Sequence, residues 1–311
     1  MLFVLFLAGL DLALGAICGR VFARQTTGAS GGLANRAIAE HAPLLMLGSS
    51  RAQHHLDPEI LGAAAGLRAW NAGADGQGLY YACSLLDLVE AEAVPRLVIW
   101  SLDRKDFDPK QRPSQLQRLS VLLPHYPESP RLREFWNAQG YEARLKVQVR
   151  TYRFNSLVLP MLASLWSSSA EGNGFVPIPA REGGPPAFAE GEVYASPDQR
   201  ALAALAGALS LLSARGSTVV LLTTPRWSPG DPPAAFYDAV DGEVERRVSG
   251  LPRVVFWRMD EAALPAFRDA ALFADAGHLN AEGARRFSTR IAERLRAEIR
   301  PRLGSVPTPG S

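Results

Sequence analysis

Short runs, apolar apart from Arg68 and Thr218, punctuate the chain at residues 44–47, 67–70, 97–100, 218–222 and 254–257. Runs of this length without polar alternation predict parallel strands buried on both faces. Between them, apolar residues recur at three- and four-residue steps. Leu202, Leu205, Leu209 and Leu212 form one such stripe, and Phe287, Ile291, Leu295 and Ile299 another; each predicts a helix with one buried face. Alternating strand and helix patterns predict an α/β fold, a doubly wound parallel sheet with helices on both faces. Ligands of such sheets bind beyond the carboxyl ends of the strands. That rule gathers Ser50, Gly76, Asp103, Thr224 and His278 on one edge.

Four stretches break the alternation. Residues 2–18 are apolar except for Asp11, just long enough for a spanning helix, which needs about 17–25 residues. Their ten Leu, Ile, Phe and Val residues favour insertion by about 3–6 kcal/mol, and Asp11 takes back about 2.5–3.5 kcal/mol. Residues 1–24 therefore read as a membrane anchor or signal-like helix. Arg20 and Arg24 follow the run and no basic residue precedes it, which by the positive-inside rule favours a cytoplasmic domain. Residues 25–40, opening rich in Gly, Thr and Ser, read as a tether. Residues 105–198 are too long for one crossover and read as an insertion in a single domain, 41–300. Its stretch 132–149 looks helical, 155–166 is apolar but too short to span, and 171–196 is rich in Gly, Pro and Ala. The insertion is expected near the active-site edge, as a groove wall, a membrane face, a partner surface or a packed elaboration of the sheet. Residues 301–311 lack a core-forming pattern and read as a disordered tail.

Composition narrows the classes. The chain has 311 residues, 47% of them hydrophobic, and a net charge of +2, enough for one sizeable core and no argument for nucleic acid. Basic runs interleaved with aromatics are missing, so a nucleic-acid partner is not expected. Cys18 and Cys83 make no disulfide framework. His54 and His55 are adjacent without zinc-type spacing, and His41 and His125 stand alone; surface positions are expected of these histidines. No metal or other cofactor is expected.

The chemistry lies in two blocks far apart in sequence. Gly48-Ser49-Ser50-Arg51 closes the first apolar run, and Asp275-Ala276-Gly277-His278-Leu279-Asn280 precedes the last helical stripe. A serine on the turn after a buried strand is held out of the sheet, where a base from elsewhere can meet it. An Asp and a His three residues apart supply that base and the carboxylate that orients it. A third block, Trp70-Asn71-Ala72-Gly73-Ala74-Asp75-Gly76-Gln77-Gly78, closes the second run; its glycines let a backbone N–H point into the cleft beside Ser50. After the fourth run, Arg226 in Thr223-Thr224-Pro225-Arg226-Trp227 and Arg51 are candidates for an anionic group, and Trp227 for stacking on a sugar ring.

In order, these blocks resemble the SGNH (GDSL-like) hydrolase superfamily, and Gly-Ser-Ser-Arg after an anchor resembles its membrane-anchored branch associated with cell-surface polysaccharide O-acylation. The resemblance implies a flavodoxin-like sheet and a catalytic triad of Ser50, His278 and Asp275, with an oxyanion hole drawn from Ser50 and Gly76. It also implies an ester hydrolase or carbohydrate O-acyltransferase in an extracytoplasmic (periplasmic) domain, with polysaccharide-assembly partners. The family's third block supplies an Asn as a further oxyanion donor; here the third strand runs into Ser101-Leu102-Asp103-Arg104. Asp103 stands near that place, and an ionised carboxylate there repels an oxyanion. The alternative is an inactive domain of this fold, serving as a binding or scaffold component of a polysaccharide biosynthesis and export assembly.

Overall fold

The computed structural model describes residues 1–26, 31–164, 172–181, 196–227 and 234–303. In chain order, helices α1 (Leu2–Ala23) and α2 (Gly32–Ala39) lead into strand β1 (Leu44–Leu47). Helices α3 (Ser50–His55) and α4 (Pro58–Ala65) follow, then β2 (Ala69–Asn71), α5 (Leu79–Glu92) and β3 (Leu97–Ser101). Helices α6 (Arg112–Arg118), α7 (Pro130–Asn137), α8 (Tyr141–Lys146) and α9 (Val158–Ser164) come next. The chain then makes α10 (Gln199–Ala214), β4 (Thr218–Leu222), α11 (Ala234–Val248), β5 (Val254–Trp257) and α12 (Ala281–Arg294).

The five strands pair in parallel in the order β2-β1-β3-β4-β5, an α/β architecture compatible with a doubly wound sheet. Side chains of successive strand residues enter opposite layers. Leu45, Leu47, Val98, Trp100, Val219 and Leu221 join a core with α2, α5 and α10. Leu44, Met46, Leu97, Ile99, Val220 and Leu222 join another with α4 and α12. Continuous apolar strand runs are what two buried faces demand. The two sequence stripes are buried as expected, Leu202 to Leu212 against the first layer and Phe287 to Ile299 against the second. The second strand starts at Ala69, because Leu67 and Arg68 belong to the turn after α4.

The tether expectation is corrected over its second half. Residues 32–39 are a helix, with Ala34 and Ala37 fully buried in the first core. Asn35 Nδ2 ties it to the carbonyls of Phe22 and Gln25 at 2.7 and 3.0 Å. Residues 27–30 lie outside the described residues. Among the described residues α1 is one helix long and apolar enough to cross a membrane.

The insertion is helical as far as α9. Its predicted 132–149 helix is two helices, α7 and α8, broken at Gly140, whose φ is +117°. Of the Gly/Pro-rich stretch, residues 172–181 are described, and 171 and 182–195 are outside the described residues. Residues 300–303 form a 3₁₀ turn, and 304–311 of the expected tail are also outside them.

Candidate active site

At the carboxyl end of β1 the chain must turn sharply against β3. Gly48 makes the turn at φ +142°, and a Cβ there would stand 2.6 Å from the Ser101 carbonyl oxygen. Ser49 then caps α3, its hydroxyl accepting the Arg51 N–H at 3.4 Å, so Ser50 becomes the first residue of a helix. Its own N–H has no intrahelical acceptor and donates to no protein group among the described residues.

The second block closes against the first. Asn71, almost fully buried, donates from Nδ2 to the carbonyls of Ala52 and Leu56 at 2.7 and 2.8 Å and accepts the Gly73 N–H at 2.9 Å. The Ala74 N–H reaches the Gly48 carbonyl at 3.2 Å. Gly73 lies so close to α3 that a Cβ would come within 2.5 Å of Gln53 N. Gly76, at φ +68°, has its carbonyl held by Arg118 Nη1 at 2.6 Å, while its N–H donates to no protein group among the described residues.

The third element comes from more than 220 residues downstream. Phe273 and Leu279 form a β-bridge, Asn280 caps α12 by accepting the Gly283 N–H at 3.0 Å, and the loop between them holds the base. Ser50 Oγ lies 2.7 Å from His278 Nε2. His278 Nδ1 is 2.9 Å from both oxygens of Asp275. A carboxylate at Nδ1 fixes the proton there, so Nε2 accepts from the serine hydroxyl. Asp275 Oδ1 also accepts the N–H groups of Gly277 at 2.7 Å and His278 at 2.9 Å. Burial alone would raise the Asp275 carboxyl, but the His278 ring and these N–H groups outweigh it and hold its pKa below the ordinary carboxylate value. Such a chain can take the proton from an alcohol as its oxygen attacks an electrophile.

The remaining sequence candidates reach this edge with their groups otherwise engaged. Arg51 Nη1 is 3.6 Å from Asp103, and Asp103 also accepts the Lys105 N–H at 3.1 Å. Burial would raise the Asp103 carboxyl; Arg51, the Lys105 N–H and more distant cations bring it below its ordinary value. Asp103 is ionised and has no proton to give an oxyanion. Beside it, burial and the Asp103 charge push the Asp106 carboxyl well above the usual range. The Arg226 side chain is buried, its Nη1 donating to Tyr237 Oη at 2.7 Å and its guanidinium stacked 4.3 Å from the Tyr237 ring centroid. Trp227 packs its ring against Phe273, centroids 6.1 Å apart, and its N–H holds the Ala276 carbonyl at 3.0 Å. Trp227, through its backbone N–H and its ring, thus braces the loop that carries His278. Arg226 is tied to Tyr237 and, through its backbone N–H, to Glu261 at 3.0 Å.

Two histidines depart from the expected surface positions near the site. His55 is fully buried, and its Nε2 accepts the Leu279 N–H at 2.9 Å, so it fixes the backbone immediately after the base. His54 donates from Nδ1 to the Val176 carbonyl at 2.7 Å, and its ring stands edge-on to His278 at 5.4 Å. Val176 belongs to a strap from the insertion: Asn71 N–H binds the Asn173 carbonyl at 2.9 Å, Val176 N–H the Gln53 carbonyl at 3.0 Å, and Ala281 N–H the Ile178 carbonyl at 2.7 Å. Away from the site, His125 is also drawn in, bonded to Glu128 and Asn35 at 2.6 and 2.8 Å. An adjacent His pair has no periodicity of its own, and the short helix that carries it is polar apart from Ala52, so nothing in the sequence marked His55 as buried.

Burial, and then the neighbouring charges of His278, Arg51 and His54, depress the His55 pKa well below its ordinary value of about 6.5. A base that is neutral when folded and protonated when unfolded contributes its full stability above about pH 6.5 and loses it as pH falls below that value. The loss approaches about 1.4 kcal/mol per pH unit until the folded pKa is reached. His55→Gln keeps an acceptor for Leu279 N–H but cannot be protonated. Its melting temperature is expected to fall less between pH 6.5 and 5 than that of the parent, as calorimetry at stepped pH would show. Parallel acid limbs would assign the effect elsewhere.

A scan against protein-family models matches no family, and a search of curated proteins finds no match.

Proposed function

We propose that this protein is a serine-dependent acyl-transfer enzyme of SGNH type, acting on an O-acyl ester and anchored to a membrane through α1. The observation that carries the reading is the unbroken contact from Ser50 Oγ through His278 to Asp275, with links of 2.7 and 2.9 Å. As Ser50 Oγ bonds to the ester carbonyl carbon, its proton passes to His278 Nε2. The N–H groups of Ser50 and Gly76, which donate to no protein group among the described residues, are assigned as donors to the developing oxyanion. Collapse breaks the bond to the leaving alcohol, which takes the proton from the imidazolium, and the acyl group stays on Ser50. Water or a sugar hydroxyl then gives its proton to His278, takes the acyl group and restores the serine. Water makes the protein an esterase, a carbohydrate acceptor an O-acyltransferase; the same side chains serve both.

The acyl acceptor is expected to be a cell-surface carbohydrate and the domain extracytoplasmic, on the strength of the sequence resemblance and the apolar α1. A second reading, an inactive domain kept for binding, draws on two observations. Asp103, paired with Arg51 and held ionised, follows β3 where the resemblance expects a third oxyanion donor, and lacking one typically costs about 10²–10³ in rate. The Asp275 side chain is also 45% exposed, so solvent screens its support of the imidazolium. The experiment is hydrolysis of p-nitrophenyl acetate by the detergent-purified full chain, with and without an oligosaccharide acceptor. Acyl-enzyme turnover above the uncatalysed rate is the expected result, with acceptor acetylation marking transfer. A folded protein with neither turnover nor a covalent acyl adduct would overturn the enzyme reading in favour of the binding one.

A further inference from the structure

The contact between α1 and the insertion restricts how the protein can sit at a membrane. Ten residues of helix rise about 15 Å, half of a hydrocarbon core of about 30 Å. At that point in α1 the Asp11 carboxylate accepts the N–H groups of Arg150 and Thr151, at 2.8 and 2.9 Å, and the Thr151 hydroxyl at 2.6 Å. The C-terminal part of the helix stays against the same segment: Phe22 meets Phe154 edge-on at 6.1 Å and clusters with Leu157 and Met161 of the α9 region. A helix docked in this way cannot centre itself in the bilayer without taking Arg150, Arg153 and the polar turn between them to the midplane, which is costly. With the contact kept, only the part before Asp11 enters freely, and the docked segment comes to rest at the headgroups.

The surface that would meet those headgroups has matching chemistry. Tyr141, Leu145 and Val149, at four-residue steps along and just past α8, are exposed. So are Val158, Leu159 and Leu162 on α9, whose neighbours Leu157 and Met161 face α1. Residues 141–154 carry Arg144, Lys146, Arg150 and Arg153 against one acid, Glu142. Exposed apolar side chains set among basic ones fit an anionic lipid surface, the first by insertion and the second by attraction.

We propose that α8, α9 and the chain between them form a second membrane contact, seated on an anionic leaflet beside α1, which enters to about the level of Asp11. The inference rests on α1 entering the bilayer. It holds the catalytic domain against the membrane in one orientation instead of letting it swing on a spanning anchor.

The test uses the full chain with Cys18→Ser, reconstituted in vesicles of phosphatidylcholine and phosphatidylglycerol, with nitroxides at Leu5→Cys, Leu145→Cys, Leu159→Cys and, as a solvent reference on α12, Thr289→Cys. Positions 145 and 159 are expected to lie roughly 5–10 Å below the headgroup boundary, and so to favour collision with oxygen over a water-soluble nickel chelate. Position 289 should favour nickel. Removing phosphatidylglycerol should shift 145 and 159 towards nickel while leaving position 5 protected. If 145 and 159 match 289 while position 5 is protected, the second contact is overturned and the anchor stands. If position 5 also matches 289, the anchor fails with it.

Discussion

Covalent labelling of the full chain by a fluorophosphonate is expected to vanish in Ser50→Ala, and ester turnover in Ser50→Ala or His278→Ala to fall by about 10⁴–10⁶. The fluorophosphonate phosphorus reports the first half of acyl transfer alone, because it needs an activated serine oxygen and an oxyanion site but no acceptor. Ser50 Oγ is the hydroxyl in contact with His278, at 2.7 Å. Ser49, one residue earlier, spends its hydroxyl on the Arg51 N–H, so Ser49→Ala should label at nearly the parent rate. That contrast separates a catalytic loss from a damaged turn. Asp275→Asn should fall between, by about 10²–10⁴, since it removes the acceptor that fixes the His278 tautomer; the lower end is the better expectation for a carboxylate 45% exposed. Labelling retained in Ser50→Ala would remove the basis for the acyl-transfer reading.

The parts of this site that sequence could reach are those governed by one stretch of chain. A strand buried on both faces writes itself as an apolar run, so the ends of β1 and β3, and with them Ser50 and Asp103, could be placed before any coordinates. The Asp275-to-His278 spacing was equally legible, because Asn280 and the amphipathic stripe after it mark a helix start. What was hidden depends on partners distant in sequence. His55 is defined by Leu279 N–H, 224 residues away, and the strap at Val176 by His54 and Gln53. Arg226 read as an open cation because nothing nearby in sequence announces Tyr237 as its stacking face. Helix α2 was masked by the Gly-rich residues ahead of it, although Leu33, Ala34, Ala37 and Ile38 already sit at helical spacing. Asp11 counted in sequence only as a penalty to insertion; the fold uses it to bind three donors of the insertion.

The largest loss of stability is expected at Arg104→Met. Arg104 follows Asp103 at the end of β3 and is buried between two carboxylates. Its Nε and Nη2 grip Asp241 of α11 at 2.8 and 2.7 Å, and Nη2 also meets Asp260, just past β5. Burial would raise the Asp260 carboxyl, yet Arg104 and the Ala263 N–H bring it below its ordinary value. Removing one partner of a buried ion pair typically costs about 3–5 kcal/mol, because the buried charge left behind is under-compensated. Here Asp241 keeps Arg258 Nε at 3.0 Å and Asp260 the Ala263 N–H at 3.0 Å. At about 2–4 °C per kcal/mol for a domain of this size, calorimetry should find melting lowered by about 6–20 °C. The pH dependence identifies the cause. With Arg104 gone, the stability that the depressed Asp260 carboxyl contributes above its unfolded pKa is lost, and in the parent that contribution itself fades as pH falls and the carboxyl is protonated. The variant's deficit should therefore be greatest at neutral pH and shrink as pH falls towards about 4. Adding Asp241→Asn and Asp260→Asn to Arg104→Met should recover much of the loss at neutral pH for the same reason. A deficit that is constant with pH and indifferent to the two Asn substitutions would mean that Arg104 acts by packing against Tyr237, 5.3 Å from its ring centroid, and not through charge.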